Sequence, residues 1–409
     1  MSQDETEYTG VFAAAEGINS DYLALSELLS EVDRELVARV RDFVDTKARP
    51  VINEYWEKAD FPYELIPEIA KLGIIGTTIQ GYGAPALTPL QAGLVAMELS
   101  RGDGSLNTFN AVHSGLAMGT INLHASEEQK QRWLPDMVAL RKLGAFALTE
   151  PEHGSDSVYL ETSARRDGDE YVLNGSKRWI GLGHVADLVI VWARDTETGK
   201  VGAFVVEKDA AGNYPEGYRA EAIEGKIAKR AIQQAAIELT EVRIPVANRL
   251  ENARGFRAVS QVLLRTRSSV AWEALGHAAA CYEHAVEYTT GRTQFGQPLA
   301  NFQLVQRQLA KMLADLTAMQ LTNLRCGQLQ NEGRLTQQRA SLQKMFVSDA
   351  ARELCRSARD LMGGNGLLLE NHVARHVTDM EVVHTYEGTD FIQSLILGRD
   401  ISGHDAMSA

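Results

Sequence analysis

Apolar residues recur at helical spacing from about residue 21 to residue 140, for example at Leu36 and Val40. Side chains four positions apart lie on the same face of a helix, so this pattern predicts a helical region with one buried side. Ser126 and Gln129 predict a capping box at the start of one helix, since each side chain can bind the other residue's free backbone N–H.

Short β-rich runs replace the helical pattern between residues 144 and 253. They cover residues 145–148, 171–173, 188–193, 202–206 and 236–240. Turn signals at Asp167-Gly168 and Asn174-Gly175 separate several of them. No long helical pattern lies in between, so these runs predict an antiparallel sheet or barrel of roughly 110 residues.

Helical periodicity returns from Gly255 onward and is strongest over residues 302–330 and 338–361. The glycine-rich run at 363–366 breaks it. The pattern therefore predicts helices, then a sheet, then a helical bundle. The predicted divisions are a flexible N-terminus at 1–20, an N-terminal α-helical domain at 21–143, a middle β-domain at 144–254 and a C-terminal α-helical bundle at 255–409.

The composition is that of an ordinary globular protein, with 44% hydrophobic and 23% charged residues in a chain of 409. A formal net charge of -13 argues against a nucleic-acid or anionic-membrane partner, because those surfaces attract basic proteins. Residues 1–19 lack the apolar core of a secretory signal, and no apolar run is long enough for membrane insertion. The last four residues, 406–409, are not a peroxisomal signal. These features predict a cytoplasmic protein.

Two kinds of site are not expected from the sequence. Cys281, Cys326 and Cys355 do not have the spacing of metal ligands, so no metal site is predicted. The glycine-rich segments do not join a strand to a helix with the spacing of a dinucleotide-binding turn, so a nicotinamide site is not predicted either.

Four blocks of sequence place glycines, hydroxyls and charged groups in turns. They are FALTEPEHGSD at 146–156, RTQFGQPL at 292–299, DLMGGNG at 360–366 and TYEGT at 385–389. Glycine allows close approach of the backbone, and backbone N–H groups beside hydroxyls can bind a polar ring or a phosphate. Each block alone is compatible with an ordinary surface turn. In this order and spacing, the four closely resemble the signatures of the acyl-CoA dehydrogenase flavoenzymes over nearly the whole chain.

The resemblance implies a fold, a cofactor and partners. The fold is an α-helical N-terminal domain, a middle antiparallel β-barrel and a C-terminal four-helix bundle, which is the partition that the hydrophobic pattern predicts independently. The resemblance also implies an acyl-CoA substrate and FAD between the β-domain and the bundle. It further implies a homotetramer, in which FAD reaches the neighbouring subunit, and electron-transfer flavoprotein as the electron acceptor.

The resemblance also implies which residues bind FAD. Those expected around the isoalloxazine ring are Phe146, Leu148, Thr149, Trp179, Ile180 and Gly181. Gly154 and Ser155 are expected near the pyrophosphate and CoA. The second and third blocks, expected to meet a neighbouring subunit's FAD, contribute Arg292, Phe295, Gln303, Asp360, Leu361, Met362, Gly363 and Gly364. The diphosphate region is expected to meet Thr389, Asp390 and Phe391.

Glu387 matches the family's catalytic base. The chemistry needs a carboxylate beside the α carbon, because the weakly acidic α proton leaves as the flavin accepts the β hydride. Desolvation by Tyr386 and the flavin is expected to raise the pKa of Glu387 toward neutrality. In the family, the base's backbone N–H and a ribityl hydroxyl of FAD polarise the thioester oxygen. The residues expected to contact substrate are Glu98, Asn107, Thr108, Ser155, Arg267, Tyr386 and Gly388.

Two of these expectations carry alternatives. Arg267 aligns with an arginine of the family's substrate side, but it is equally compatible with a charge on a helix surface. Detailed resemblance is highest to the glutaryl-CoA dehydrogenases, which carry an Arg-Ser pair for the distal carboxylate where Asn107 and Thr108 stand here. A neutral amide cannot pair with a carboxylate as a guanidinium does. We therefore expect a short neutral acyl chain, with glutaryl-CoA as the alternative.

Gly181 is a second departure, because most of the dehydrogenases carry Thr or Ser there. Glycine removes a hydroxyl near the flavin's hydride-accepting nitrogen and is expected to open space. The short-chain acyl-CoA oxidases of plant peroxisomes show the same run at 178–181, so an oxidase that uses oxygen is the other alternative. The absence of a peroxisomal signal weighs against it.

Two further readings lie outside this chemistry. A nitroalkane-oxidase-like enzyme is expected to carry Asp at the position of Glu387. A cofactor-free binding protein would have no reason to keep all four blocks.

Overall fold

The computed structural model describes residues 11–12 and 18–406. Most of the predicted flexible segment at 1–20 lies outside these residues, as do residues 407–409, on which the expectation about a peroxisomal signal partly rests. Val11 and Phe12 are buried in the helical core. The Phe12 N–H donates to Ser26 Oγ at 3.0 Å, and Arg41 Nη2 donates to the Val11 carbonyl at 2.9 Å. At these two residues the chain is packed, in contrast to the flexible N-terminus that the sequence predicts for residues 1–20.

The first part of the chain is helical, as its periodicity predicts. Its α-helices are α1 (Glu31–Phe43), α2 (Arg49–Lys58), α3 (Ile66–Lys71), α4 (Pro89–Gly102), α5 (Gly104–Asn110), α6 (Gly119–His124) and α7 (Glu127–Val138). Shorter turns are 3₁₀ at Leu25–Leu28 and Tyr63–Leu65, and π at Val44–Ala48 and Ala111–Met118. The predicted capping box is confirmed, since Ser126 Oγ accepts the Gln129 N–H at 3.3 Å and the Gln129 side chain accepts the Ser126 N–H at 2.9 Å.

The middle of the chain forms a seven-stranded sheet in the order β1-β4-β2-β3-β7-β6, with β5 also paired to β4. The strands are β1 (Gly144–Ala147), β2 (Ser163–Asp167), β3 (Glu170–Gly181), β4 (Leu188–Asp195), β5 (Val201–Glu207), β6 (Tyr218–Ala222) and β7 (Gln234–Pro245). Two 3₁₀ turns cover Ser157–Tyr159 and Val246–Asn248. The pairs β1·β4 and β2·β4 are parallel, so the sheet is mixed, whereas the sequence predicts an antiparallel sheet or barrel.

The parallel pairs follow from how the chain uses one edge of β4. Strand β5 occupies the opposite edge over residues 188–194. Strand β1 pairs with residues 188–191, and β2 pairs with 194–195 in the same direction. The chain therefore leaves the sheet after β1 and rejoins the same edge at β2. Residues 148–162, which include most of the first sequence block, form the loop between these two points.

The last part of the chain is helical again. Its α-helices are α8 (Phe256–Gly291), α9 (Gln303–Asn331), α10 (Gln337–Leu361), α11 (Val373–Thr385) and α12 (Asp390–Ser402). A small hairpin of β8 (Thr293–Gln294) and β9 (Gln297–Pro298) follows α8, and 3₁₀ turns cover Leu299–Asn301, Gly363–Leu367 and Leu369–Asn371. The two strongest periodic segments correspond to α9 and α10. Among the described helices, none has both the length and the apolar character needed to cross a bilayer.

Helix α4 joins two hydrophobic cores. Val95 and Leu99 pack into a core that the first helices share with the sheet, while Leu94 and Met97 pack into the core of the C-terminal helices. Helices α4 and α8 approach closely where α8 has Gly276, because a Cβ at that position would overlap the Met97 carbonyl oxygen. The absence of a side chain therefore sets the separation of these two helices.

We predict that Gly276→Ala lowers the free energy of unfolding by about 1–3 kcal/mol, because the added methyl forces one helix backbone to move. Denaturant unfolding of the purified variant measures this change. Gly291→Ala, on the same helix, is the matched control, since an added Cβ there meets no atom within 4 Å. Equal unfolding midpoints for Gly276→Ala and wild type would show that the helices are not in close contact.

Candidate active site

Glu387 lies in the turn between α11 and α12. Its backbone has φ 55°, and the next residue, Gly388, has φ 90°. Both values fall in the left-handed region, which is strained for a residue with a side chain. Gly388 is required in a second way, because a Cβ there would overlap Nε2 of Gln393. The turn therefore presents a carboxylate from a backbone conformation that only its surroundings can maintain.

The Glu387 carboxylate is partly buried and is held by α8. Its Oε2 accepts a hydrogen bond from Thr266 Oγ1 at 2.8 Å. Burial raises the pKa of Glu387 above its ordinary value, and the Thr266 hydroxyl with the nearby Arg267 and Lys344 charges offsets only part of that effect. The backbone N–H of Glu387 has no acceptor among residues 11–12 and 18–406. The turn thus combines a base of raised pKa with a free N–H donor.

Tyr386 begins a buried polar chain that joins all three parts of the molecule. Its hydroxyl donates to Glu273 on α8, and the other Glu273 oxygen binds Lys229, which lies between β6 and β7. Lys229 Nζ also donates to the Gly104 carbonyl at 2.8 Å, which Thr108 Oγ1 contacts at 2.8 Å as well. Two predicted substrate residues, Tyr386 and Thr108, therefore belong to one network.

The other predicted substrate residues differ in their placement. Arg267 is buried rather than on the helix surface, and its Nη1 donates to Ser341 Oγ at 3.4 Å. Asn107 is 1% exposed, and its Nδ2 has no partner in the part of the chain that the structure describes. Ser155 is exposed on the loop after β1.

Glu98 is not available to a substrate. It is fully buried, and its two carboxylate oxygens bind Arg41 at 2.6 Å and Arg101 at 3.0 Å. These two cations hold the pKa of Glu98 at about 2, although burial acts to raise it. The prediction of Glu98 as a substrate contact is wrong, because its charge is already compensated inside the protein.

The two segments predicted to surround a flavin ring are bound to each other. The Arg178 N–H donates to the Thr149 carbonyl at 2.9 Å. Lys177 Nζ, buried, donates to the Leu148 carbonyl at 3.0 Å and to Glu150 at 2.8 Å. These contacts fasten the loop after β1 to the end of β3, so both segments form one surface.

A β-bulge turns Trp179 outward on that surface. The pairing of β3 with β7 shifts between Lys177 and Ile180, and Trp179 has φ 65° and is 52% exposed. A bulge often redirects a side chain beside a functional site. A tryptophan whose backbone adopts the left-handed conformation is strained. Phe146, Leu148 and Ile180 are buried.

Gly181 does not open space as the sequence predicts. A Cβ at Gly181 would lie 3.0 Å from Cγ2 of Val112, so the side chain of Val112 lies close to Gly181 and leaves little room there. Val112 belongs to the π-helical turn 111–118, and a Cβ on Gly115 of the same turn would lie 3.6 Å from the Thr266 methyl. This turn therefore connects the end of β3 with the residue that holds Glu387.

The second group of predicted cofactor residues lies on the surface of the C-terminal helices. Exposed members are Arg292, Phe295, Gln303, Asp360, Gly363, Gly364 and Phe391. Phe295 is 93% exposed and Phe391 is 81% exposed. Leu361, Thr389 and Asp390 are partly buried. Met362 differs, because its side chain is packed in the helical core.

Three residues that touch the Glu387 turn were not found from the sequence, namely Thr266, Lys344 and Gln393. None lies in one of the four blocks. The sequence does contain a feature that predicts the burial of Lys344. This residue lies on the same face of α10 as Ala340 and Val347, in an otherwise apolar stripe. A lysine in such a stripe indicates a buried cation with a specific role.

Models of the acyl-CoA dehydrogenase N-terminal, middle and C-terminal domains match residues 30–141, 145–242 and 253–402. The chain therefore belongs to the acyl-CoA dehydrogenase family, a family of FAD-dependent oxidoreductases. The recognised resemblance and the predicted fold class are confirmed, with the middle domain as a curled sheet.

Individual relatives agree with this assignment. An acyl-CoA dehydrogenase of Bacillus subtilis (strain 168) is 34% identical over 370 residues, 89% of this chain and 96% of its own length. The short-chain specific acyl-CoA dehydrogenase of Bos taurus mitochondria is 31% identical over 381 residues, 92% of this chain and 90% of its own length.

Two solved structures are similar over most of their length. A glutaryl-CoA dehydrogenase of Mycobacterium smegmatis in complex with FADH2 is 35% identical, with a TM-score of 0.90 and coverage of 94% of this chain and 98% of its own. The butyryl-CoA dehydrogenase of Megasphaera elsdenii is 31% identical, with a TM-score of 0.85 and coverage of 91% and 98%. These matches support acyl-CoA dehydrogenase-type activity, and the substrates named for the relatives differ.

We predict that Lys177→Met destabilises the protein by about 3–5 kcal/mol, because it leaves the buried Glu150 carboxylate without its cation. Urea unfolding measures the loss, and Lys177→Met with Glu150→Gln should recover part of it. The exposed pair of Lys311 and Asp315 is the control, since Lys311→Met should change stability by less than about 1 kcal/mol. A Lys177→Met effect as small as that of Lys311→Met would contradict the structural role of the buried pair.

Proposed function

We propose that this chain is an FAD-dependent acyl-CoA dehydrogenase that converts a short, neutral acyl-CoA to the trans-2-enoyl-CoA, with Glu387 as the base. The observation that carries the proposal is the Glu387 turn. In this turn the Glu387 carboxylate is partly buried, has a raised pKa and accepts a hydrogen bond from the Thr266 hydroxyl. The backbone N–H of Glu387 lies beside it without an acceptor in the described part of the chain.

The residues around the end of β3 fit a flavin. Trp179 offers an exposed aromatic face, Thr149 is half-buried on the loop that is fastened to the end of β3, and Gly154 and Ser155 are exposed on that loop. An added Cβ on Gly154 would meet nothing within 4 Å, so the backbone there is open to a large ligand. FAD bound here supplies the acceptor for the β hydride.

Glu387 performs the proton transfer in this proposal. Its carboxylate takes the α proton, and its raised pKa makes it a stronger base than an ordinary glutamate. The free Glu387 N–H donates to the thioester oxygen, where negative charge develops as the proton leaves. Thr266 fixes the orientation of the carboxylate before the reaction.

The polar network behind Tyr386 supports a short, neutral acyl chain. Beyond Tyr386 and Thr108 lies the buried pair of Lys229 and Glu273, which a long apolar chain would have to displace at a large desolvation cost. Lys229 is already bound to Glu273 and to Gly104, so it does not offer a free cation to a distal carboxylate. Asn107 adds a neutral donor at that end.

Val112 supports a dehydrogenase over an oxidase. The oxidase alternative rests on the run at 178–181 that the plant oxidases share, and the Val112 side chain lies close to Gly181, so the glycine in that run leaves little open space. We therefore propose electron-transfer flavoprotein as the acceptor. A homotetramer is part of the proposal, because the exposed Phe295, Arg292 and Gln303 have a role only if a second chain brings FAD to them.

We predict that Glu387→Gln slows anaerobic flavin bleaching by butyryl-CoA roughly 100- to 10,000-fold, because the amide cannot accept the α proton. Stopped-flow absorbance of the purified holoenzyme measures the rate. In wild type the rate should rise with pH through the raised pKa of Glu387, since only the ionised carboxylate is a base. Glu197→Gln, at an exposed turn, is the control. Normal bleaching by Glu387→Gln would eliminate Glu387 as the base.

A panel of acyl-CoAs tests the substrate and the acceptor together. We predict that butyryl-CoA bleaches the flavin faster than glutaryl-CoA or palmitoyl-CoA, and that air reoxidises the reduced enzyme slowly. Faster bleaching by glutaryl-CoA would show that the preferred substrate is a dicarboxylic acyl-CoA and not a neutral one. Rapid reoxidation with formation of peroxide would show that the protein is an oxidase and not a dehydrogenase. A purified preparation without flavin would contradict the proposal that the protein is an FAD-dependent enzyme.

A further inference from the structure

Lys344 is a buried lysine on α10 whose ammonium binds the turn that carries Glu387. It is 0% exposed, and its Nζ donates to the His384 carbonyl at 2.8 Å and to the Gly388 carbonyl at 2.9 Å. These two carbonyls lie on either side of Glu387 in the sequence. One side chain therefore joins the end of α11 to the residue that follows the base.

Gln393 on α12 binds the same turn from the other side. It is 0% exposed, and its Nε2 donates to the carbonyls of Glu387 at 3.1 Å and Gly388 at 3.0 Å. Two buried donors from two helices thus converge on the Gly388 carbonyl. This is the point where the backbone adopts two successive left-handed residues, so the donors hold the turn in a conformation that it would otherwise leave.

Burying the charged side chain of Lys344 lowers the stability of the folded protein, so stability alone does not explain a lysine at this position. Within the described residues its Nζ binds two backbone carbonyls and forms no salt bridge, and burial lowers the pKa of Lys344 to about 8. The carboxylates of Asp390 and Glu387 act on Lys344 only from beyond ion-pair distance, so they and the neutral carbonyls offset only part of the free-energy cost of burying this cation. A neutral donor such as glutamine can bind carbonyls at lower cost, which indicates that the charge itself has a role.

We propose that Lys344 is a positioning residue for the base, holding the 384–388 turn so that the Glu387 carboxylate meets Thr266 and the substrate. The inference rests on the proposed function, in which Glu387 takes the α proton. Lys344 acts in two ways. Its hydrogen bonds fix the backbone on both sides of Glu387, and its positive charge favours the ionised carboxylate that a base requires.

The charges around these two groups come from four helices. Glu387 is faced by Arg267 and Glu273 from α8 and by Lys344 from α10, with Tyr386 beside it. Lys344 is faced by Asp390 from α12, by Arg267 and by Glu387, and its charge reaches His384 at the end of α11. Removing Lys344 leaves Arg267 as the remaining cation near the base, so the pKa of Glu387 should rise further.

Lys344→Met tests the proposal in the flavin-loaded enzyme, because methionine is of similar length but has neither the donors nor the charge. We expect the limiting rate of bleaching by butyryl-CoA to fall roughly 10- to 100-fold, as for a misplaced catalytic group. The concentration of butyryl-CoA at half the maximal rate should change less than about threefold. The acid limb of the pH profile should shift to higher pH. A residue that merely supports the fold would not move that limb.

Two further variants complete the test. Lys344→Gln keeps a donor without the charge, so it should retain more of the rate than Lys344→Met while showing the same shift of the acid limb. If Lys344→Met fails to bind flavin, the rate and the acid limb of Lys344→Gln test the positioning role instead. Lys311→Met, at the surface, is the control for loss of a lysine and should leave the rate and the acid limb as in wild type.

The outcomes separate this inference from the proposed function. If wild type is bleached by butyryl-CoA and the folded Lys344 variants show its rate and its acid limb, the positioning role is wrong and the proposed function stands. If no acyl-CoA bleaches wild type, the proposed function fails first, and the role of Lys344 fails with it.

Discussion

The buried ion pair between Lys229 and Glu273 is the interaction on which the arrangement of this molecule depends. Lys229 comes from the sheet region, Glu273 from the longest C-terminal helix, and the Gly104 carbonyl that completes the set from the first helices. Each buried charge would be costly alone, so the three parts reach low free energy only when all are in place. Because Tyr386 also binds Glu273, the correct assembly of the domains determines the position of the residue beside the base.

Opposing effects meet at Glu387 in a small volume. Burial raises its pKa, while a hydroxyl and two cations favour the ionised form. The result is a carboxylate that is basic but still able to ionise, which is the compromise that proton abstraction from a weakly acidic carbon requires. The backbone strain at Glu387 and Gly388 has a matching compensation in the donors on α10 and α12. Charge and conformation at the base are therefore controlled by the same neighbours.

Much of the fold followed from sequence, because periodicity and capping are local. The Ser126 capping box, helices α9 and α10 and the five β-rich runs are examples. The parallel pairing of β4 was missed, since direction depends on where a loop returns and not on its residues. The ion pairs that keep Glu98 from a substrate and the closeness of Val112 to Gly181 were missed for a related reason. Both depend on side chains distant in sequence, Arg41 and Val112, that no spacing rule connects.

The loop at 148–162 begins and ends on one edge of β4. Its two ends are therefore fixed by sheet register, while its length is not constrained by any strand that it must cross. Residues can be inserted or removed in its largely exposed part, 151–159, with little effect on the sheet, because Glu150 stays bound to Lys177 and the entropy of closing a longer loop grows only slowly. The loop is thus a place where evolution or engineering can change ligand contacts while the scaffold stays the same.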